Sequence, residues 1–196
     1  MTTPEITIAA PTERARVVDS LVAAFARDPV LRHLFPDPGT YPRHAAAFFG
    51  YLFDKRVHRQ TIWTIGHGAS VAIWEPPAPS DEPADDSLAA QLPAAELSRV
   101  RAYERAIHSA LPRTPFWYLG VLGTHPDYAG RRWGHAVMGA GLRRAAEDGV
   151  PAVLETSNPG NVEVYRRAGW EVVGVVEEPL PTWIMQQSQA VRTSDR

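Results

Sequence analysis

The hydrophobic positions along the chain change period several times, and each change marks an element. "ITIAA" near the start alternates as a strand does, and "ERARVVDSLVAAFAR" (13–27) then puts Val17, Leu21, Ala24 and Phe25 on one face of a helix. Thr12, with Ala15 three residues on, supplies only half a capping box for that helix. The proline-punctuated "DPVLRHLFPDPG" reads as a turn, and residues 42–59 as a second helix. In "TIWTIGHGASVAIWEPP" two β-rich runs are split by "GHG", a hairpin signal. Proline and acidic residues make a loop of 75–87, after which 88–110 reads as a helix and 115–124 as a buried strand. A helix over 134–149 stops at Gly149, "PAVLETS" is a short strand, "NVEVYRRAG" a short helix stopped by Gly169, and "WEVVGVVEEP" with "TWIMQQ" a final strand pair. Strands and helices interleaved in this order predict an α/β fold, a mixed central sheet with helices on both faces. Residues 1–187 are expected to form one domain, with a frayed tail over 188–196.

Composition narrows the chemistry. The 196 residues, 44% hydrophobic and 21% charged, describe an ordinary globular chain with no apolar run of membrane-spanning length. The N-terminal stretch lacks the basic-then-apolar pattern of an export signal, so the expected location is cytoplasmic. With no cysteine, disulfides, a thiol nucleophile and thiolate-bound metal are all excluded. The seven histidines have no metal-ligand spacing, and a net charge of −2 offers no reason to expect nucleic acid or an anionic membrane as partner. Oligomeric state cannot be read from these features.

"YAGRRWGHA" (128–136) lies between a strand and a helix, where unpaired backbone N–H groups and the helix dipole converge and phosphate is commonly held. Its two glycines, Gly130 and Gly134, are separated by Arg131, Arg132 and Trp133. In "LETS", Glu155 sits in an otherwise apolar strand, where a carboxylate costs stability unless it is paired or part of a site.

The stretches "WYLGVLGTHPDYAGRRWGHAV" and "GVPAVLETSNPGNVEVYRRAGWEVVG" together resemble the cofactor-binding half of the GCN5-related N-acetyltransferase (GNAT) superfamily, in particular its puromycin N-acetyltransferase branch. The resemblance runs over about residues 116–185, with weaker similarity in "LVAAFARDPVLRHLFPD" and "VAIWEPP". It implies the GNAT fold, with a splayed strand before a pyrophosphate loop, and acetyl-CoA as co-substrate. Leu122, Gly123 and Thr124 would offer backbone to the pantetheine arm, as an added strand does. The pyrophosphate would lie on Gly130, Arg131, Arg132, Trp133, Gly134 and His135, and Asn161 would bond the pantetheine.

The family's loop pattern, Gln/Arg-x-x-Gly-x-Gly/Ala, falls on residues 129–134, where Ala129 and Arg132 depart from it. Three readings of the double arginine stand open. The guanidinium groups replace lost contacts with charge-assisted bonds; the loop no longer admits CoA, and the fold binds or transforms a small-molecule ligand without it; or the arginines are simply solvated.

Acetyl transfer from a thioester needs a neutral amine, a polarised carbonyl and a proton for the departing thiolate. Tyr165 matches the family's proton-donating tyrosine, with a packed core aromatic as the alternative. Glu155 is the candidate base, with an outward-facing glutamate as the alternative, and Asn161 could equally be a helix cap. His33 and Phe35 belong to the segment that would shape the acceptor pocket. The aromatic content of residues 28–60 and 76–113 favours a bulky, partly apolar amine, and the puromycin-type resemblance suggests an antibiotic or secondary metabolite as acceptor.

Overall fold

A computed structural model of the chain describes residues 4–77 and 87–187. The tail from Ser188 and most of the 75–87 loop therefore lie outside the described residues. Strand β1 (Ile6–Ile8) leads through a short 3-10 turn into helix α1 (Arg14–Ala24). Helices α2 (Pro29–Leu34) and α3 (Tyr41–Val57) follow, then the hairpin β2 (Ile62–Ile65) and β3 (Ser70–Glu75). Next come α4 (Ala94–Ala110), β4 (Trp117–Thr124), α5 (Trp133–Glu147), β5 (Ala152–Thr156), α6 (Pro159–Arg167), β6 (Glu171–Val176) and β7 (Thr182–Gln187).

Two local readings change. The segment 28–39 contains helix α2, because Asp28 caps it: its Oδ1 accepts the N–H groups of Val30 at 2.9 Å and Leu31 at 3.1 Å. Asp-Pro followed by an apolar run is an N-cap with proline at the first helical position, a start signal that its turn-like composition obscures. Helix α4 starts at Ala94 rather than at 88, because Pro93 stands at its N-cap and residues 87–92 form turns.

The seven strands form one sheet in the order β1-β2-β3-β4-β5-β7-β6, antiparallel except for the central parallel pair β4–β5. Side chains alternate across each strand, so the sheet feeds two cores. Ile62, Val71, Ile73, Val121 and Val153 pack under α1 to α4 with Leu21, Leu34, Phe49 and Phe53. Ile65, Ala72, Trp74, Trp117 and Leu154 pack under α5 and α6 with Val137, Met138 and Val162.

The parallel pair is short. β4 and β5 share only Trp117↔Ala152, Tyr118↔Val153 and Leu119↔Leu154 before they separate. On its other side β4 slips register against β3, Ile73 facing Val121 and Trp74 facing Leu119, so Gly120 is the extra residue of a bulge. Bulges bend the strand that carries them, and this one lies where β4 leaves β5. The strand expected to splay therefore does so from Gly120 to Thr124, with no strand among the described residues paired along its β5 side.

Candidate active site

A cavity of about 890 Å³ opens at this fork. Its floor is the diverging strands, with Leu119, Gly120, Val121 and Leu122 on one side and Leu154, Glu155, Thr156 and Ser157 on the other. Phe25, Phe48 and Phe49 from the α1 and α3 regions wall it, as do Val100, Tyr103 and Ile107 from α4.

Register places the titratable groups. Glu155 lies two residues beyond Val153, the parallel partner of Tyr118, so the two side chains share one face of the sheet. There the Tyr118 hydroxyl donates to Glu155 Oε2. Burial pushes the Glu155 carboxyl up to about 7, only partly countered by the hydrogen bond from Tyr118. Burial and the Glu155 charge hold the Tyr118 phenol well above its ordinary value, so it stays a donor. A carboxyl poised near neutrality in a cavity is suited to taking a proton from an ammonium.

Helix α6 supplies the opposite edge. Asn158 is its N-cap, accepting the Gly160 N–H at 2.9 Å, which releases Asn161 from the capping role and leaves its side chain on the cavity wall. Asn161 makes one long contact, Nδ2 to Thr156 Oγ1 at 3.5 Å. Tyr165, one turn later, shares that wall. Its ring packs edge-on against Trp170 at 5.9 Å, while its hydroxyl has no hydrogen-bond partner among the described residues. Burial and then the Glu155 charge raise this phenol to about 12, so it keeps its proton across the neutral range.

The loop after β4 turns into α5 through a left-handed residue. Arg132, at φ +61° and ψ +17°, holds the left-handed conformation that a glycine there adopts freely, and it forms the N-cap position of α5. The N–H groups of residues 130–135 donate to no described residue, which leaves a row of backbone donors at the N-terminus of α5. A Cβ at Gly134 would stand 3.4 Å from Thr124 Oγ1, so the helix start abuts the end of the splayed strand. Arg131 is stacked, its guanidinium 5.2 Å from the Tyr128 ring and 5.3 Å from that of Trp133, two rings themselves stacked at 5.1 Å. Arg132 and His135 are exposed.

The structure thus gathers Glu155, Tyr165, Asn161 and Leu122 on one cavity, while Gly123, Thr124 and residues 130–135 lie beyond its lining, where β4 runs on to the helix start that abuts Thr124. Gly123 turns toward α1, where a Cβ would collide with Leu21 and Phe25. His33 and Phe35 do not line the cavity. Phe35 is fully buried beside Phe48 and His44, and Leu31 and Leu34 of the same segment face the cavity instead. Sequence reasoning missed Tyr118, whose only signal was a polar ring at the inward register of β4, and Asp28, which lines the cavity from its capping position. Among the described residues no cluster of histidine and acidic side chains is arranged to hold a metal, and no helix is long and apolar enough to cross a membrane.

Residues 89–170 match the model of the Acetyltransferase (GNAT) family. The whole chain superimposes on solved structures of that fold. The histone acetyltransferase HPA2 and related acetyltransferase of Corynebacterium glutamicum is 24% identical with a TM-score of 0.66, covering 98% of this chain and 99% of that one. The polyamine N-acetyltransferase of Drosophila melanogaster, which forms N-acetylagmatine, is 12% identical with a TM-score of 0.65, covering 94% and 98%. The C-terminal condensation domain of Ebony, solved with beta-alanyl-dopamine, is 13% identical with a TM-score of 0.67, covering 96% and 100%. At these identities the structures speak for the fold, and the puromycin branch is not singled out by them or by the family model.

Proposed function

Since the chain has the GNAT fold and carries the family's acetyltransferase pattern over residues 89–170, we propose that it transfers acetyl from acetyl-CoA to an amine of a small molecule. The observation that carries this reading is adjacency along one strand: β4 lines the cavity that holds a carboxyl poised near 7 and the Tyr165 phenol, then runs on as an unpaired edge to Thr124, against which the helix start with its row of unpaired N–H groups abuts. The donors of residues 130–135 suit a pyrophosphate, and the open side of β4 over Leu122–Thr124 suits amides that extend the sheet. Acetyl-CoA would supply the thioester acetyl group.

The chain's own residues account for the proton movements. Glu155, directly or through water, removes a proton from the bound ammonium and leaves the neutral amine able to attack. Tyr118 holds that carboxylate in place. Tyr165 keeps its proton at neutral pH and has no hydrogen-bond partner among the described residues. It can therefore hand that proton to the departing thiolate while its phenolate takes up the proton the attacking nitrogen loses as the amide forms. Without a cysteine to carry an acyl group, transfer is direct within a ternary complex. The phenylalanine-lined wall suits an acceptor with an apolar body, and an amine-bearing secondary metabolite fits that description.

Calorimetric titration of acetyl-CoA into the protein tests the first half of this reading, and release of free CoA thiol in the presence of an amine panel tests the second. Saturable binding together with amine-dependent thiol release is the expected result. Absence of acetyl-CoA binding would return the molecule to a fold that serves a ligand without CoA.

A further inference from the structure

Glu155 is not the only carboxylate on the cavity. Asp28, at the start of α2, also lines it, partly buried, and its side chain is only half used. Oδ1 accepts both cap N–H groups, and among the described residues the carboxylate forms no ion pair and no other hydrogen bond. Lys55, Arg56, Arg59 and Arg113 also line the cavity, and among the described residues none of them forms an ion pair with Asp28. Arg32 turns to the Pro36 carbonyl at 3.0 Å and lies over the Tyr41 ring at 5.7 Å. Arg56 pairs with Glu75, and the charges of Lys55 and Arg56 fall on Glu104. Meanwhile the Asp28 charge is felt across the cavity by Glu155, Tyr103 and Tyr165. A carboxylate partly withdrawn from water without an ion-pair partner is costly, and the other carboxylates on the same cavity, Glu155, Glu75 and Glu104, add repulsion.

Building on the acetyltransferase reading, we infer that Asp28 selects the acceptor by binding a second, permanently cationic nitrogen, so that the preferred substrate is a diamine or an amine that also carries a guanidinium or amidinium group. Asp28 and Glu155 have different duties. The reacting nitrogen must lose its proton and does so at Glu155, so it is neutral when it attacks and no longer answers Asp28. A nitrogen that keeps its charge throughout answers Asp28 in ground state and transition state alike. Between them the wall is apolar and aromatic, with Phe25, Phe49, Val100 and Tyr103, and suits a hydrocarbon or ring spacer. Tyr103 is 7% exposed, and its hydroxyl completes no hydrogen bond of good geometry.

Asp28→Asn tests this, because asparagine caps a helix as well as aspartate does while removing the charge. A series of α,ω-diaminoalkanes is compared with n-alkylamines of equal length, both as acetyl acceptors and by calorimetry without acetyl-CoA. The wild type is expected to prefer the best diamine over its matched monoamine by tenfold or more. In Asp28→Asn that ratio should fall about tenfold, through KM rather than kcat, at a melting temperature no lower than that of the wild type. A wild type without diamine preference in either readout overturns the inference, as does a variant that keeps the preference. If diamines bind selectively but no amine is acetylated, the acetyltransferase reading fails while the role of Asp28 stands.

Discussion

The two ends of the candidate site are built by opposite means. At residues 130–135 the groups on which the proposed reading rests are backbone N–H donors, and the side chains there are exposed or stacked on each other. At the fork of β4 and β5 they are side chains, buried and set by strand register. The difference teaches where substitution is tolerated. A loop that binds through its backbone can accept arginine at a glycine position as long as the chain still reaches the left-handed conformation, as Arg132 does. A site that works through buried titratable groups cannot exchange one without changing its proton inventory.

The hardest blow to the side-chain end is Tyr165→Phe. Turnover should fall by about a hundredfold or more, with acetyl-CoA affinity unchanged by calorimetry, since only the hydroxyl is lost from a ring that stays packed on Trp170. Near-normal turnover would make Tyr165 a core aromatic.

Glu155→Gln comes next, with a loss of about ten- to a hundredfold around pH 8. The wild-type kcat/KM should rise with pH as the carboxyl ionises near 7, and that limb should vanish in the variant. Stability sharpens the test. Because the folded-state pKa is raised above the ordinary carboxylate value, the folded protein holds more protons between the two values, and the stability due to this group falls as pH rises through about 7. Glutamine is insensitive to pH, so the melting temperature of Glu155→Gln relative to wild type should increase from about pH 5 to about pH 8. A difference independent of pH would mean that the carboxyl is not poised as described.

At the backbone end the effects are smaller. Arg132→Ala should weaken acetyl-CoA about tenfold by removing one charge-assisted phosphate contact, whereas Arg132→Gly, which relaxes the left-handed strain, should bind at least as well as Arg132→Ala. Equal, tight binding by wild type and both variants would assign the affinity to the N–H row alone. Arg131→Ala should change affinity only two- to threefold, because this guanidinium is already held over Tyr128 and Trp133. A tenfold loss there would show that Arg131 leaves its rings to meet the ligand.

How much was legible in the chain differs between the same two regions. The order of strands and helices, the loop and Glu155 could be read directly, because periodicity, turn residues and a lone carboxylate in an apolar strand are local signals, whereas Tyr165 was picked out only through the family resemblance. The capping role could not be divided between Asn158 and Asn161 from "SNPGN", since either can accept a hydrogen bond; the backbone geometry assigned it to Asn158. The aromatic residues were visible, but their sides were not: Phe48 and Phe49 reach the cavity, while Phe35 closes the core.

By itself, then, the sequence determined the elements and their chemistry, because dihedral preference, hydrophobic period and the pKa of an isolated group are properties of short stretches. Only the tertiary structure decided which groups meet. Tyr118 and Glu155 are 37 residues apart and become partners through a three-pair parallel register and the bulge that ends it. Asp28 reaches the same cavity because α2 packs against α4, which walls it. Burial is what moves the Glu155 carboxyl toward neutrality, and burial is a property of the whole assembly, set when two cores close on the two faces of one sheet.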